Sequence, residues 1–336
     1  MIIDAHTHVI PLEYLQELEA RADVSSLRVS GVGSDRPLIE TAGVTFALSP
    51  IWFDPDHMLE KMDRTGISAQ VISPPTFLFH YGDAPIRALE LARIINDSYA
   101  EIAAKHPGRF YAMGTVPLQD VDLACRELHR MAKDLSIRAV EIGTFVDGRA
   151  LDSEELRPFF REAEKLGIFI FVHPLTQQQV GEQALEFAYL RNLVGLPTST
   201  AFAIESIIFS DFLDTLPDLK IGFAHGGGTG AILLDRWDAA WQESPQEQER
   251  CARSPIEAFH SLYFDTVMHS VTSLELLLKY CDPAKLMLGS DSPADMGTLG
   301  ILEKISATVA YRSGYADQIN AETARSLFSG PLRFAG

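Results

Sequence analysis

Short runs of β-branched and aliphatic residues recur along the chain. Each is closed by a polar turn and followed by a stretch in which apolar residues return every third or fourth position. The runs occupy residues 2–4, 69–73, 110–116, 138–142, 168–173, 220–225, 262–265 and 285–289, and they predict eight strands. The periodic stretches predict helices over residues 86–106, 121–135, 153–166, 204–213, 231–244 and 272–281. Asp120 and Asp152 read as N-caps, the second because Glu154 and Glu155 load the following turn with acids. Strand alternating with helix in this way predicts the α/β class, and specifically a (β/α)8 TIM barrel that uses residues 1–336 as one domain. A doubly wound open sheet is the alternative, but no Gly-x-Gly-x-x-Gly follows the first strand.

Residues 12–54 break the rhythm and are expected to form an insertion after the first strand, folding over the barrel mouth. The final segment, residues 305–336, is expected to supply closing helices, with Asn320 capping the run through Phe328. The pattern contains no internal repeat, low-complexity tract or interdomain linker.

Composition adds constraints. At 336 residues, with 46% hydrophobic and 22% charged residues, the chain can bury a large core. Its 28 basic residues against 46 acidic ones leave a net charge of −18, which disfavours nucleic acid and anionic membrane surfaces as partners. An anionic substrate then needs a local positive centre. Cys125, Cys251 and Cys281 form no metal-binding or disulfide spacing, and Asp4, His6 and His8 interrupt the N-terminus where a signal peptide needs an apolar stretch. A cytoplasmic location is expected.

The strand ends carry the chemistry. His6 and His8 are two residues apart, so a strand projects both from one face, and neutral imidazole is a good ligand for Zn²⁺. Strand five ends in His173-Pro174, strand six in His225-Gly-Gly-Gly228 and strand eight in Gly289-Ser-Asp291. Taken singly, His173 also reads as a hydrogen-bonded core residue, His225 as part of a turn and Asp291 as a helix cap. A parallel barrel, however, gathers strand carboxyl ends around one mouth.

These motifs resemble the amidohydrolase superfamily, in the branch that contains 2-amino-3-carboxymuconate-6-semialdehyde decarboxylase. The resemblance runs over nearly the whole chain. It rests on Asp4-x-His6-x-His8, Asp54-Pro55, Met62-Asp63, Val116-Pro-Leu-Gln-Asp120, Val172-His-Pro174, His225-Gly-Gly-Gly228 with Leu233-Leu-x-Arg236, and Met287-Leu-Gly-Ser-Asp291. It implies that His6, His8, His173 and Asp291 bind one Zn²⁺ per subunit, with another divalent ion such as Mn²⁺ as the alternative. It implies that His225 is the acid/base, with Asp291 sharing the proton relay. Superfamily members with two metals carry a carboxylated lysine on strand four, where this chain has Val140-Glu141-Ile142-Gly143, so a single metal is expected. Glu141 is then an outer residue, a substrate contact or a salt-bridged barrel residue, and Asp4 is expected to orient a neighbour.

Two departures bear on the substrate. The family arginine within Phe-Arg-Pro is absent from Phe46-Ala47-Leu48-Ser49-Pro50, and Asn192 stands where the family has a tryptophan, marking it as a candidate substrate contact. Arg236 matches a family arginine donated across a homodimer interface, which implies a homodimer and a carboxylate-binding role, with a surface ion pair to Asp235 or Asp238 as the plainer reading. His57 and His80 lie in stretches that could line the pocket. The expected activity is zinc-dependent, non-oxidative decarboxylation of an aromatic, heteroaromatic or muconate-type carboxylic acid. The alternative is a metal-dependent hydrolase of a lactone, amide or carbon–carbon bond using zinc-bound hydroxide, and a barrel that only binds its ligand is the third reading.

Overall fold

The structure is a computed structural model that describes residues 1–21, 27–41, 44–185, 188–294, 296–297 and 300–329. Eight short strands form its centre: β1 (Ile3–His8), β2 (Ala69–Ser73), β3 (Phe110–Ala112), β4 (Ala139–Gly143), β5 (Phe169–His173), β6 (Ile221–Phe223), β7 (Tyr263–Asp265) and β8 (Leu286–Met287). Strands β1 to β3 pair in parallel, as do β4 to β8. Two seams close the ring. At one, the Gly114 amide donates to Ala139 O (3.0 Å) and Gly114 O accepts from the Glu141 amide (2.8 Å). At the other, the amides of Ala5, His8 and Asp291 donate to Leu288 O (2.8 Å), Ser292 O (2.7 Å) and His6 O (2.9 Å). The predicted barrel is therefore closed, and its edges are satisfied by backbone pairing.

The two-residue period sorts the strand side chains. Val140, Ile142, Ile170 and Val172 face outward and pack against Leu128, Met131, Phe159 and Phe160 of the surrounding helices. Ile3, Ala5, Val71, Met113, Ala139, Phe169 and Phe171 fill the interior. Leu327 and Phe328 from the last described helix, Thr323–Phe328, join this inner cluster, and Phe328 meets Phe169 edge-on at 5.7 Å. Since Phe169 begins β5, the final helix plugs the amino-terminal end of the barrel, and the carboxyl end is left for the site.

Most predicted helices form, with shifted limits. Pro85–Lys105, Val121–Lys133, Gly230–Glu243 and Val271–Tyr280 follow the sequence pattern closely, and Asp120 caps its helix by accepting from the Leu123 amide at 2.9 Å. Asp152 does not cap: its helix begins at Arg157, after Leu156, which provides no side-chain cap. The helix expected over residues 204–213 is instead Leu196–Ile208, followed by the short Phe212–Thr215. Asn320 is not a cap either. It lies inside the π-helical turn Gln318–Glu322 and donates to the Tyr311 hydroxyl at 2.8 Å.

The insertion contains the helix Leu12–Ala20 and a three-stranded antiparallel sheet of Arg28–Ser30, Leu38–Thr41 and Val44–Ala47. Its Tyr14, Leu15, Leu18 and Ile39 share a core with Leu78, Leu91 and Ile95, and Phe46 meets Phe77 at 5.7 Å. Phe77 and Leu78 follow the carboxyl end of β2, so the insertion packs on the mouth side of that strand. Residues 22–26 and 42–43 of the insertion, and residues 330–336 of the closing segment, lie outside the described residues. No described helix is long and apolar enough to cross a membrane.

Candidate metal centre

Strand geometry brings His6 and His8 to the carboxyl end of β1, His173 to that of β5, and His225 and Asp291 to the turns after β6 and β8. His6 and His8 Nε2 are 3.2 Å apart, and Asp291 Oδ1 lies 3.4 Å from the first and 3.0 Å from the second. The ring centroid of His173 is 5.1 Å from that of His6, 5.2 Å from that of His8 and 4.8 Å from that of His225. His225 Nε2 sits 3.5 Å from Asp291 Oδ2, and its side chain retains 20% exposure where the other histidines are buried. The four histidines and the aspartate singled out in the sequence are thus one cluster.

The hydrogen bonds assign the ring protons. His6 Nδ1 faces Asp265 Oδ2 at 2.6 Å, His173 Nδ1 faces Pro174 O at 2.9 Å, and His8 Nδ1 faces the Ser73 hydroxyl at 3.4 Å, whose own proton goes to Thr7 O. In His6 and His173 the acceptor at Nδ1 places the proton there and leaves the Nε2 lone pair pointing inward. His173 Nε2 is buried with no hydrogen-bond partner among the described residues. Converging nitrogen lone pairs beside a carboxylate repel one another unless a cation lies among them. Three imidazole nitrogens and one carboxylate are also a donor set suited to Zn²⁺ and similar divalent ions, so the residues fit the metal their motifs imply.

The electrostatics agree. Burial holds His6 below its ordinary pKa, and burial together with the neighbouring His225 holds His173 well below it, keeping both rings neutral. Burial also acts downward on His8 and His225, but the Asp291 carboxylate, joined at His8 by Glu141, outweighs it and raises both. Asp291 is itself held well below the usual carboxylate range, because the facing histidines overcome its burial. Burial pushes Glu141 up to about 7.

Local backbone geometry serves this arrangement. Asp291 and His225 have φ values of 60° and 56°, in the left-handed region that non-glycine residues seldom occupy. After His225 the chain stays left-handed through three glycines, and a Cβ on Gly226 would lie 2.7 Å from Met268 Sδ and one on Gly228 only 2.2 Å from Pro197 O. The Gly-Gly-Gly run is therefore what lets His225 turn inward.

The residue that sequence reasoning missed is Asp265, the last residue of β7. Fully buried, it accepts from His6 Nδ1, from the His225 amide (3.0 Å) with the same oxygen, and from the amides of Gly226 (2.8 Å) and Val267 (3.0 Å) with the other. It orients a candidate ligand and the His225 turn at once. Its signal was an acid closing an apolar strand run, the same position that marked Asp291. Asp4 does orient a neighbour, but not an imidazole: it accepts from Ser290 N (2.9 Å) and Oγ (2.6 Å), which anchors the turn before Asp291. Lys61 extends this anchor by donating to the Ser292 hydroxyl at 2.6 Å.

Glu141 belongs to the site as well. It is buried, and its carboxylate lies with the His8 and His173 nitrogens in a group whose atoms are all within 4.8 Å of one another. Arg236 and Asn192 do not join the cluster. Both are exposed and neither makes a hydrogen bond or ion pair to it. The surface ion pair open to Arg236 does not form, since Asp235 faces Lys279 at 3.7 Å and Asp238 accepts from Gln242 at 2.6 Å. His57 is an exposed partner of Asp54, while His80 is buried between the Tyr14 hydroxyl (2.6 Å) and Asp83 (2.7 Å).

Residues 3–328 match the profile of the family described as Amidohydrolase. The 2-amino-3-carboxymuconate-6-semialdehyde decarboxylase of Dictyostelium discoideum is 32% identical over 303 residues, covering 88% of this chain and 83% of that relative. The gamma-resorcylate decarboxylase of a Rhizobium species is 30% identical over 250 residues, covering 70% and 73%. Among solved structures, a dihydroxybenzoic acid decarboxylase of a Polaromonas species, with manganese and an inhibitor bound, superposes with a TM-score of 0.73 at 21% identity over 97% of this chain and 96% of that one. With its closed barrel and its histidines gathered at the strand carboxyl ends, the chain belongs to the amidohydrolase family.

Proposed function

We propose that this protein is a metal-dependent, non-oxidative decarboxylase of an aromatic, heteroaromatic or muconate-type acid, with one Zn²⁺ per subunit held by His6, His8, His173 and Asp291. The observation that carries the reading is the set of inward nitrogen lone pairs, with His173 Nε2 left unpartnered in a buried site. The named activities of the similar proteins support the choice of reaction.

When bound, the cation supplies a Lewis acid that anchors a substrate oxygen and offsets the negative charge of the chain. The residues do the rest. Asp265 fixes the His6 ring, and the glycine turn presents His225 Nε2 toward the partly open side. In decarboxylation the carbon–carbon bond breaks, CO₂ leaves, and the bonding electron pair stays on the substrate carbon, which must take a proton. His225 holds that proton at Nε2, with Asp291 Oδ2 facing it. Manganese is the alternative metal.

The active unit in this reading is a homodimer in which Arg236 reaches the partner's site. Arg236 is exposed and has no ion-pair partner among the described residues, and Ile232, one helical turn before it, is 68% exposed. The insertion then covers the mouth from the β2 side. The test is metal analysis of protein purified without chelator, together with CO₂ release from a panel of hydroxybenzoates, pyridine carboxylates and aminomuconate semialdehydes in ¹⁸O-water. CO₂ without solvent oxygen in the other product is expected. Solvent oxygen in a product that keeps its carboxylate would establish hydrolysis instead.

A further inference from the structure

Glu141 is a buried carboxylate, and among the described residues neither of its oxygens accepts a hydrogen bond of ordinary geometry. No lysine or arginine among the described residues pairs with it, so the salt-bridged barrel residue weighed from the sequence is not what the fold contains. Leaving a buried charged acceptor unsatisfied costs more than leaving a neutral one, and natural cores avoid it outside functional sites.

The donors nearest Glu141 are turned elsewhere: the Ser73 hydroxyl lies close enough to counter part of the effect of its burial, yet is directed at Thr7 O, and the Tyr81 hydroxyl faces the Gly143 amide. The Nδ1–H of His173 is committed to Pro174 O, that of His8 faces Ser73, and the Ser73 proton goes to Thr7 O. In the metal-binding reading both Nε2 atoms give their lone pairs to the cation and have no proton to offer Glu141. What enters the site can supply the donor that these groups do not direct at Glu141. A second carboxylate beside Glu141 would add like charge without supplying a proton, whereas a hydroxyl or amino group supplies one.

We propose that Glu141 is a substrate-binding residue which accepts a hydrogen bond from a hydroxyl or amino group carried by the substrate acid, and that it selects donor-bearing acids over those without one. This rests on the acid-binding reading above. A hydrogen bond to a charged acceptor contributes about 1.5–3 kcal/mol, so a donor-bearing acid should bind about 10-fold tighter or more.

The experiment is calorimetric titration of the manganese-loaded protein at pH 8 with 2-hydroxybenzoate, 2-aminobenzoate and 2-methoxybenzoate, for wild type, Glu141→Gln and Glu141→Ala. Metal content and melting temperature are measured on the same samples. Wild type should prefer the hydroxy and amino acids, Glu141→Ala should bind all three alike, and Glu141→Gln, which keeps one acceptor oxygen, should retain part of the preference. Neither variant should lose metal or melt earlier, because each removes an unpaired buried charge. A preference unchanged in Glu141→Ala overturns the proposal, and so does loss of metal, which would make Glu141 a ligand. Equal wild-type binding of all three acids leaves the acid-binding reading standing and removes only the role of Glu141. Binding of none overturns both.

Discussion

Replacing Asp265 with Asn tests how far the site depends on a residue outside the proposed ligand set. The side chain keeps its shape but loses one acceptor oxygen and gains an NH₂. Each Asp265 oxygen faces two donors: Oδ2 takes His6 Nδ1–H at 2.6 Å and the His225 amide at 3.0 Å, and Oδ1 takes the Gly226 and Val267 amides at 2.8 and 3.0 Å. Whichever way the new amide turns, two hydrogen bonds become donor–donor contacts. At about 1–3 kcal/mol for each buried group left unsatisfied, the apo protein should lose about 2–6 kcal/mol of stability. The His6 ring also loses the carboxylate that fixes its tautomer, which weakens metal binding by about 10- to 100-fold, or about 1.4–2.7 kcal/mol. Zinc competition against a chromophoric chelator gives the second quantity, and denaturant unfolding of the metal-free protein gives the first. A zinc affinity within twofold of wild type, with unchanged unfolding, would refute the assignment of Asp265 as the group that orients His6 and the His225 turn.

His225→Asn should abolish turnover while leaving metal near stoichiometric, and His173→Ala should lose metal and activity together; zinc lost in the first or retained in the second, by elemental analysis, would exchange their roles. Mixing inactive His225→Asn with inactive Arg236→Ala should restore about a quarter of wild-type activity, since half of randomly exchanged dimers carry one complete site; no recovery after confirmed subunit exchange would place Arg236 outside the partner's site. Gly228→Ala should fail to accumulate as folded protein or melt well below wild type, because its Cβ meets Pro197 O at 2.2 Å on a left-handed backbone, and an unchanged melting temperature would contradict that turn geometry. Burial pushes the Cys125 and Cys281 thiols up to about 11 and 12, so at pH 8 about one in a thousand or fewer is thiolate, and native-state alkylation should be far slower than in denaturant.

Much of the site was legible because its signals are local. His6 and His8 share a face through the two-residue strand period, and β1 shows them doing so. His173, His225 and Asp291 each close an apolar run, and in a parallel barrel the ends of such runs share one mouth. Asp120 capped its helix as its position suggested. Asp152 did not, because a cap needs the backbone to enter the helix at that residue, and here the chain makes a further turn before Arg157. Asn320 found a side-chain partner in Tyr311 that composition could not reveal.

The sequence by itself determined the alternation of strand and helix, the closed-barrel class and the ligand-type residues at strand ends, since each depends on periodicity or on a few adjacent residues. Only the tertiary structure decided what those residues meet. Asp265 and His6 are 259 positions apart and touch because the barrel closes between β8 and β1. The surroundings of Glu141 were equally hidden, because whether a buried carboxylate receives a hydrogen bond depends on where the donors around it point, and those come from β1, β2 and β5. Local chemistry can be read along a chain, while satisfaction of a buried charge is a property of the whole enclosure.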